Sequence, residues 1–190
     1  NMAAHPDLAA DVNEALAAGR LHYEAGRVKS RHALDVVVED LSLQTIAARV
    51  EKPLRGLRLA PYYGCVTVRP EGHDDPEYPE RMDRLLEALG AEVVDYPVKA
   101  DCCGGHMTQI SADTAYEMIR YLLVNADRAG ADALVTACPM CQLNLDAYQG
   151  QVNATFGTSF DIPVLYFTQM MGLAFGIAPE DLGFGQEIVS

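Results

Sequence analysis

The sequence is short of positive charge: 14 lysines and arginines stand against 27 aspartates and glutamates in 190 residues, a formal net charge of −13. With no basic cluster to track phosphates, nucleic-acid binding through a basic surface is excluded, and an anionic membrane would repel the chain. No apolar run approaches the roughly 20 residues of a membrane span. The most apolar stretch, 165–177, is interrupted by Thr168, Gln169 and two glycines. Repeats, low-complexity tracts and flexible linkers are missing, and no signal or transit peptide is recognisable. The chain begins Asn1-Met2, so position 1 is not expected to be a translational start; a trimmed chain or the interior of a longer protein is expected. What is present suits a globular domain. Hydrophobic residues make up 49% and charged residues 22%, enough for a core without the charge excess of a disordered chain. The length fits one good-sized domain, alone or with an appendage.

Periodicity divides the chain near residue 53. Leu8, Val12, Ala15 and Leu16 recur at helical spacing until Gly19. After a turn at Gly26, a second helical stretch runs from about Ser30 to Val50, with Leu34, Val37, Val38 and Leu41 on one face, and Pro53 ends it. Residues 1–53 are therefore expected to be a helical connector or appendage. From 54 to 190 strands alternate with helices: strands at 57–63, 92–96, 133–137 and 162–166, and helices at 79–89, 111–130 and 139–149. Ser111 is the expected cap of the helix over 111–130, and Thr168 that of a closing helix. This alternation predicts an α/β fold, a small open parallel sheet flanked by helices, with an N-terminal helical segment.

Five cysteines, Cys65, Cys102, Cys103, Cys138 and Cys141, lie within 77 consecutive residues. An odd count without an export signal argues against a disulfide framework and for a reducing, cytoplasmic setting. Cys65 follows the first strand, Cys102-Cys103 the second and Cys138 the third. In an open parallel sheet those loops emerge along one carboxyl edge, so five sulfurs are expected at one rim. Pro139 suits a first helical position, making Cys138 the N-cap of a helix whose unpaired amides should ease deprotonation of Cys138 and Cys141. Gly104 and Gly105 let the backbone pass close to a bulky group and offer amides to sulfur, which makes them the expected cofactor-binding pair. Five thiolates exceed by one what a tetrahedral zinc or a simple cubane cluster uses, and adjacent cysteines bridge neighbouring irons more easily than they chelate one ion. An extended iron–sulfur cluster fits better than zinc. A dithiol redox pair at Cys138 and Cys141, or cysteines buried as small apolar residues, are the plainer alternatives.

The motifs carry a resemblance. Cys65, 36 intervening residues, Cys102-Cys103, 34 more and Cys138-Pro-Met-Cys141 resemble the cysteine-rich CCG domain family. Pro61-Tyr-Tyr-Gly-Cys65, Asp101-Cys-Cys-Gly-Gly105, the run from Cys138 to Tyr148 and Pro163-Val-Leu-Tyr-Phe-Thr-Gln169 are similar to the second CCG domain of the heterodisulfide reductase B subunit. The likeness covers nearly the whole chain, and the opening helices resemble the connector between that protein's two CCG domains. It implies a noncubane [4Fe-4S] cluster on all five cysteines. It also implies an oxidoreductase acting on a sulfur group, in which two facing clusters split a disulfide by one-electron steps. The implied partners are a flavin-containing subunit, a ferredoxin-like iron–sulfur subunit, an upstream CCG domain or chain, and a small-molecule or protein-bound disulfide. One position departs: Val66 follows Cys65, where the methanogen enzymes are expected to carry histidine. Another disulfide, a persulfide or a protein thiol therefore fits as well as the coenzyme M–coenzyme B heterodisulfide.

Other readings compete with this one. An electron-relay CCG subunit without its own substrate, as in lactate, glycolate, glycerol-3-phosphate or succinate oxidoreductases, is one. A structural zinc site on four of the thiols is another. His106 is the candidate catalytic residue, a proton donor to a leaving thiolate, set against a plain role in capping the following turn. Lys99 and Arg69 fall near the same rim, where a cation could attract an anionic substrate, though solvated surface cations are the simpler expectation. His73, Asp74, Asp75 and Glu77 are read as an exposed loop rather than an oxygen-rich metal loop. His5, His22 and His32 are expected to do no chemistry, and Met170 and Met171 to be core.

Overall fold

Apolar runs with no polar face become strands buried on both sides, and three of the four strands here are of that kind, the short edge strand at Glu92–Val93 being partly exposed. The computed structural model describes residues 2–28, 30–65, 67–69 and 74–185; Val66 and His73 lie outside the described residues. Strands β1 (Arg58–Tyr62), β2 (Glu92–Val93), β3 (Ala133–Thr136) and β4 (Val164–Tyr166) form one parallel sheet in the order β2-β1-β3-β4. This is the α/β fold expected. Alternate residues of each strand feed two cores. Leu59, Ala133, Val135 and Leu165 face one, Ala60, Tyr62, Leu134 and Val164 the other.

The first core is closed by α4 (Arg81–Ala88) and α8 (Phe167–Ala174), through Met82, Leu85, Leu86, Phe167 and Met170. The second is closed by α5 (Ala112–Arg128), α6 (Pro139–Ala147) and α7 (Gln149–Phe156), through Ile119, Leu122, Leu123, Leu145 and Val152. Each such side chain contributes roughly 1.5–3 kcal/mol on leaving water. Pro61 sits inside β1 without harm. Leu57 and Leu59 accept from Glu92 and Val94 on the β2 side, and β2 is no longer paired by the time the chain reaches Pro61, where an amide would be missed.

The chain divides into two compact units, Asn1–His32 and Ala33–Ser190. The first holds α1 (Pro6–Ala17), which buries no residue, and a pair of bonds joining Asn13 to the backbone of Tyr23 (2.6 and 3.1 Å). The division falls at 32, not at the expected 53. Residues 33–53 pack with the sheet because Leu34 and Ile46 enter the first core and Arg81 of α4 reaches Asp35 (2.5 Å) and Glu39 (3.5 Å).

The expected continuous helix over 30–50 is broken. A helical turn, α2 (Ala33–Asp35), runs on as a π-helical turn over Val36–Asp40. Ser42 then takes φ 67° and caps α3 (Leu43–Ala47) by accepting from the Thr45 amide at 3.3 Å. The second expected strand shortens to Glu92–Val93, and Thr168 does not cap the closing helix. Gln169 does that work, its Oε1 accepting from the Tyr166 amide at 2.7 Å. No helix among the described residues is long and apolar enough to cross a membrane.

Candidate metal centre

The chain passes from β1 outward to β2 and then returns to β3 on β1's other side. The carboxyl ends of β1 and β3 thus flank the point where strand order reverses, the crevice in which open parallel sheets take ligands. Cys65 lies three residues beyond β1, Cys138 two beyond β3, and Cys102-Cys103 in the turn that follows β2. Topology alone therefore gathers the thiols. Cys65 and Cys102 are exposed, whereas Cys103, Cys138 and Cys141 are buried.

The sulfurs sense one another. The Cys103 and Cys141 Sγ atoms are 3.5 Å apart. Its bond with Cys141 pulls the Cys103 thiol down to about 6 against the cost of burial, with the Gly105 amide adding to it. Cys141 is pushed up, first by its bond with Cys103, then by burial and by the neighbouring charges of Cys103 and Cys138. Burial raises the Cys65 thiol, with the charges of Cys102, Cys103 and Cys138 acting in the same direction. Cys138 is the N-cap of α6, with Pro139 at the first helical position.

Glycines open the space between these sulfurs. A Cβ on Gly64 would lie 3.2 Å from the Cys141 Sγ, and one on Gly105 would lie 3.5 Å from the Cys103 Sγ and 3.0 Å from Met140 Cγ. The Gly104 amide donates to Cys102 Sγ at 3.4 Å. Soft donors, amides aimed at sulfur and a cradle that a methyl group would fill suit an iron–sulfur group in their chemistry. Among the described residues no three His, Cys, Asp or Glu side chains close on a point that would hold a single ion.

The residues that hold this rim in place are invisible to sequence reasoning. The sequence suggests a solvated cation at Lys99, yet the side chain is 1% exposed. Its Nζ meets Asp83 Oδ1 at 2.7 Å and lies 3.8 Å from the centroid of the Tyr78 ring. Its carbonyl accepts from the Tyr63 and Gly64 amides at 2.8 and 3.1 Å. The Tyr63 hydroxyl donates to Asp83 Oδ2 (2.5 Å) and accepts from the Met82 amide (2.7 Å); burial, then Asp83, pushes its pKa up. Tyr62 donates to the Asp101 carbonyl at 2.7 Å. The segments leading into Cys65 and Cys102 are therefore tied together before either thiol is reached. Asn144 completes the frame from α6, its Nδ2 donating to the Cys103 carbonyl at 2.8 Å.

The remaining candidates make no bond to the thiols. His106 is exposed at the start of a 3-10 turn, Met107–Gln109, and makes no side-chain cap bond. Arg69 is exposed and paired with Glu77 at 3.1 Å. Asp74 and Asp75 are spent on backbone amides: Asp74 accepts from Glu80 and Arg81, Asp75 from Glu77 and Tyr78.

The family model of the CCG cysteine-rich domain matches residues 59–146. The chain is 35% identical over 189 residues to the B subunit of the ferredoxin/F(420)H(2)-dependent CoB-CoM heterodisulfide reductase of Methanosarcina acetivorans, covering 97% of this chain and 62% of that protein. It is 32% identical over 181 residues to the 8-methylmenaquinol:fumarate reductase membrane anchor subunit of Wolinella succinogenes, covering 94% of this chain and 63% of that protein. An Archaeoglobus profundus protein named as similar to the heterodisulfide reductase B subunit is 31% identical over 186 residues, with 94% and 62% covered. The chain thus spans 62–63% of the length of these relatives. A hypothetical protein from Helicobacter pylori shares the fold, with a TM-score of 0.78 over the whole chain and 34% of that protein, at 14% identity.

Proposed function

We propose that the chain, whose residues 59–146 match the CCG cysteine-rich domain family, is an iron–sulfur redox module of a heterodisulfide-reductase-type complex. Its substrate is a disulfide or thiol, small or protein-bound, which the complex cleaves or forms. The observation that supports this reading is the place of the thiols after three strand ends of one parallel sheet, with the Cys103 and Cys141 Sγ atoms 3.5 Å apart. Cys65, Cys102, Cys103, Cys138 and Cys141 would hold a noncubane [4Fe-4S] cluster. Bound there, such a group supplies or accepts electrons singly beside a substrate sulfur.

The chain's own residues divide the remaining work. Buried Cys103, Cys138 and Cys141 anchor the group, while exposed Cys65 and Cys102 border the side a substrate reaches. The Gly104 and Gly105 amides donate to thiolate sulfur and offset its charge. His106, exposed just beyond them, delivers the proton that a leaving thiolate needs. A further CCG domain fits the length the relatives have beyond this chain, and flavin-containing and ferredoxin-like iron–sulfur subunits are the other partners. Five free thiols suit a reducing, cytoplasmic compartment.

A second reading has one observation in its favour. The Wolinella relative is by its name a membrane anchor subunit of a quinol:fumarate reductase, so an electron relay without a sulfur substrate fits the same thiol set. Metal analysis of anaerobically purified chain is the first test. About four irons per chain with matching labile sulfide are expected, falling away in serine variants of the five cysteines. One zinc and no sulfide would overturn the proposal. Turnover of candidate disulfides with a reduced dye then separates the two redox readings. In that assay His106→Gln should leave iron content unchanged and lower the rate by about 10²-fold or more; an unaltered rate would remove His106 from the chemistry.

A further inference from the structure

We propose that Cys103 and Cys141 form a reversible disulfide in the metal-free chain, oxidised by a hydroperoxide, and that this bond blocks metal loading. The inference rests on the reading of the five thiols as ligands, since two of them would be consumed.

The geometry favours this pair. Their Sγ atoms are already 3.5 Å apart, so closing to the roughly 2.05 Å of a disulfide asks for about 1.5 Å of sulfur movement. The backbones that carry them are held together independently of the thiols: Asn144, one helical turn beyond Cys141, donates to the carbonyl of Cys103 at 2.8 Å. Packing of Met140 against Gly105 holds the same two segments side by side. Both residues are only 4% exposed, which shields them from bulky disulfides and leaves them open to a small oxidant.

The step balances with a hydroperoxide as oxidant. One sulfur of the pair attacks a peroxide oxygen as thiolate, the O–O bond breaks, and that sulfur becomes a sulfenic acid as hydroxide or alkoxide leaves. The other sulfur then attacks it, the S–O bond breaks and water departs. With hydrogen peroxide, two thiols lose two electrons and two protons in all, and one peroxide becomes two waters. Reduction by an external dithiol restores both cysteines.

The test uses the whole reduced chain, metal-free and anaerobic, treated with one equivalent of hydrogen peroxide and alkylated in denaturant with N-ethylmaleimide. Three alkylated thiols are expected, with the mass of two hydrogens missing. Trypsin cleaves after Lys99, Arg120 and Arg128, so a cross-link between peptides 100–120 and 129–190 is expected. It should persist in a variant that keeps only Cys103 and Cys141. Iron uptake by the oxidised chain should fall about tenfold or more and recover on reduction.

A cross-link confined to 129–190 or to 100–120 would overturn the proposal, as would five alkylated thiols or undiminished iron uptake. If the reduced chain itself takes up no iron while the cross-link forms, the disulfide stands and the cluster reading fails. The two failures are therefore distinguishable.

Discussion

Lys99→Met is expected to cost about 3–5 kcal/mol of stability in urea unfolding of the reduced, metal-free chain. The side chain is 1% exposed and its ammonium meets Asp83 at 2.7 Å under the Tyr78 ring. Removing it leaves Asp83 largely buried, still hydrogen-bonded to Tyr63 but with no cation. The cost comes from that orphaned carboxylate rather than from loss of attraction, because the desolvation of both ions offsets most of what the pair gains. Lys99→Met combined with Asp83→Leu should therefore recover most of the loss, though Tyr63 then has one acceptor fewer. For a chain of this size the single variant should melt lower by roughly 2–4 °C per kcal/mol. A single variant as stable as the parent, or a double variant worse than the single, would show that the pair does not hold these segments. The consequence reaches the metal centre, since Lys99 stands three residues before Cys102 and its carbonyl holds the turn that carries Cys65.

That a lysine in an acidic chain is buried could not be read from its spacing. Its partner Asp83 is 16 residues away in another element, and only the fold brings Tyr63, Tyr78 and Asp83 around one ammonium. The one local signal is its place inside the apolar run Tyr96-Pro-Val-Lys-Ala100. The strands, by contrast, are legible because burial on both faces leaves unbroken apolar runs. The rim is legible because cysteines fall just after those runs. Helix α7 is not: Gln149–Phe156 has little apolar pattern, and Gln149 is buried because its side chain exchanges bonds with the Ile162 backbone at 2.8 and 3.1 Å. Asn144 escapes for a related reason. It shares the buried face of α6 with Cys141 and Leu145, where a polar residue has meaning only once the Cys103 carbonyl is known to lie opposite. The same holds for the break at Ser42, where a local side-chain cap overrides a continuous apolar stripe.

Gly64→Ala should nearly abolish iron retention while costing only about 1–2 kcal/mol of stability. Two effects meet at this residue and can be separated. Gly64 has φ 61°, in the left-handed region that strains any residue with a Cβ. The added methyl would also stand 3.2 Å from the Cys141 sulfur and 3.3 Å from the Tyr62 hydroxyl, where neighbours must yield. Tyr62 has no room to yield: it is fully buried and bonded to the Asp101 carbonyl just before Cys102. The methyl therefore moves sulfur, in the space that a bound group needs. Gly157→Ala supplies the control, because Gly157 has nearly the same backbone angle, φ 65°, with nothing within 4 Å of where a Cβ would stand. Gly64→Ala should lose more stability than Gly157→Ala in the metal-free form, because only its methyl meets neighbours, and only Gly64→Ala should lose iron after anaerobic loading. Equal iron content in the two would mean that the space beside Cys141 is not where the group sits, and the five-thiol reading would lose its closest geometric support.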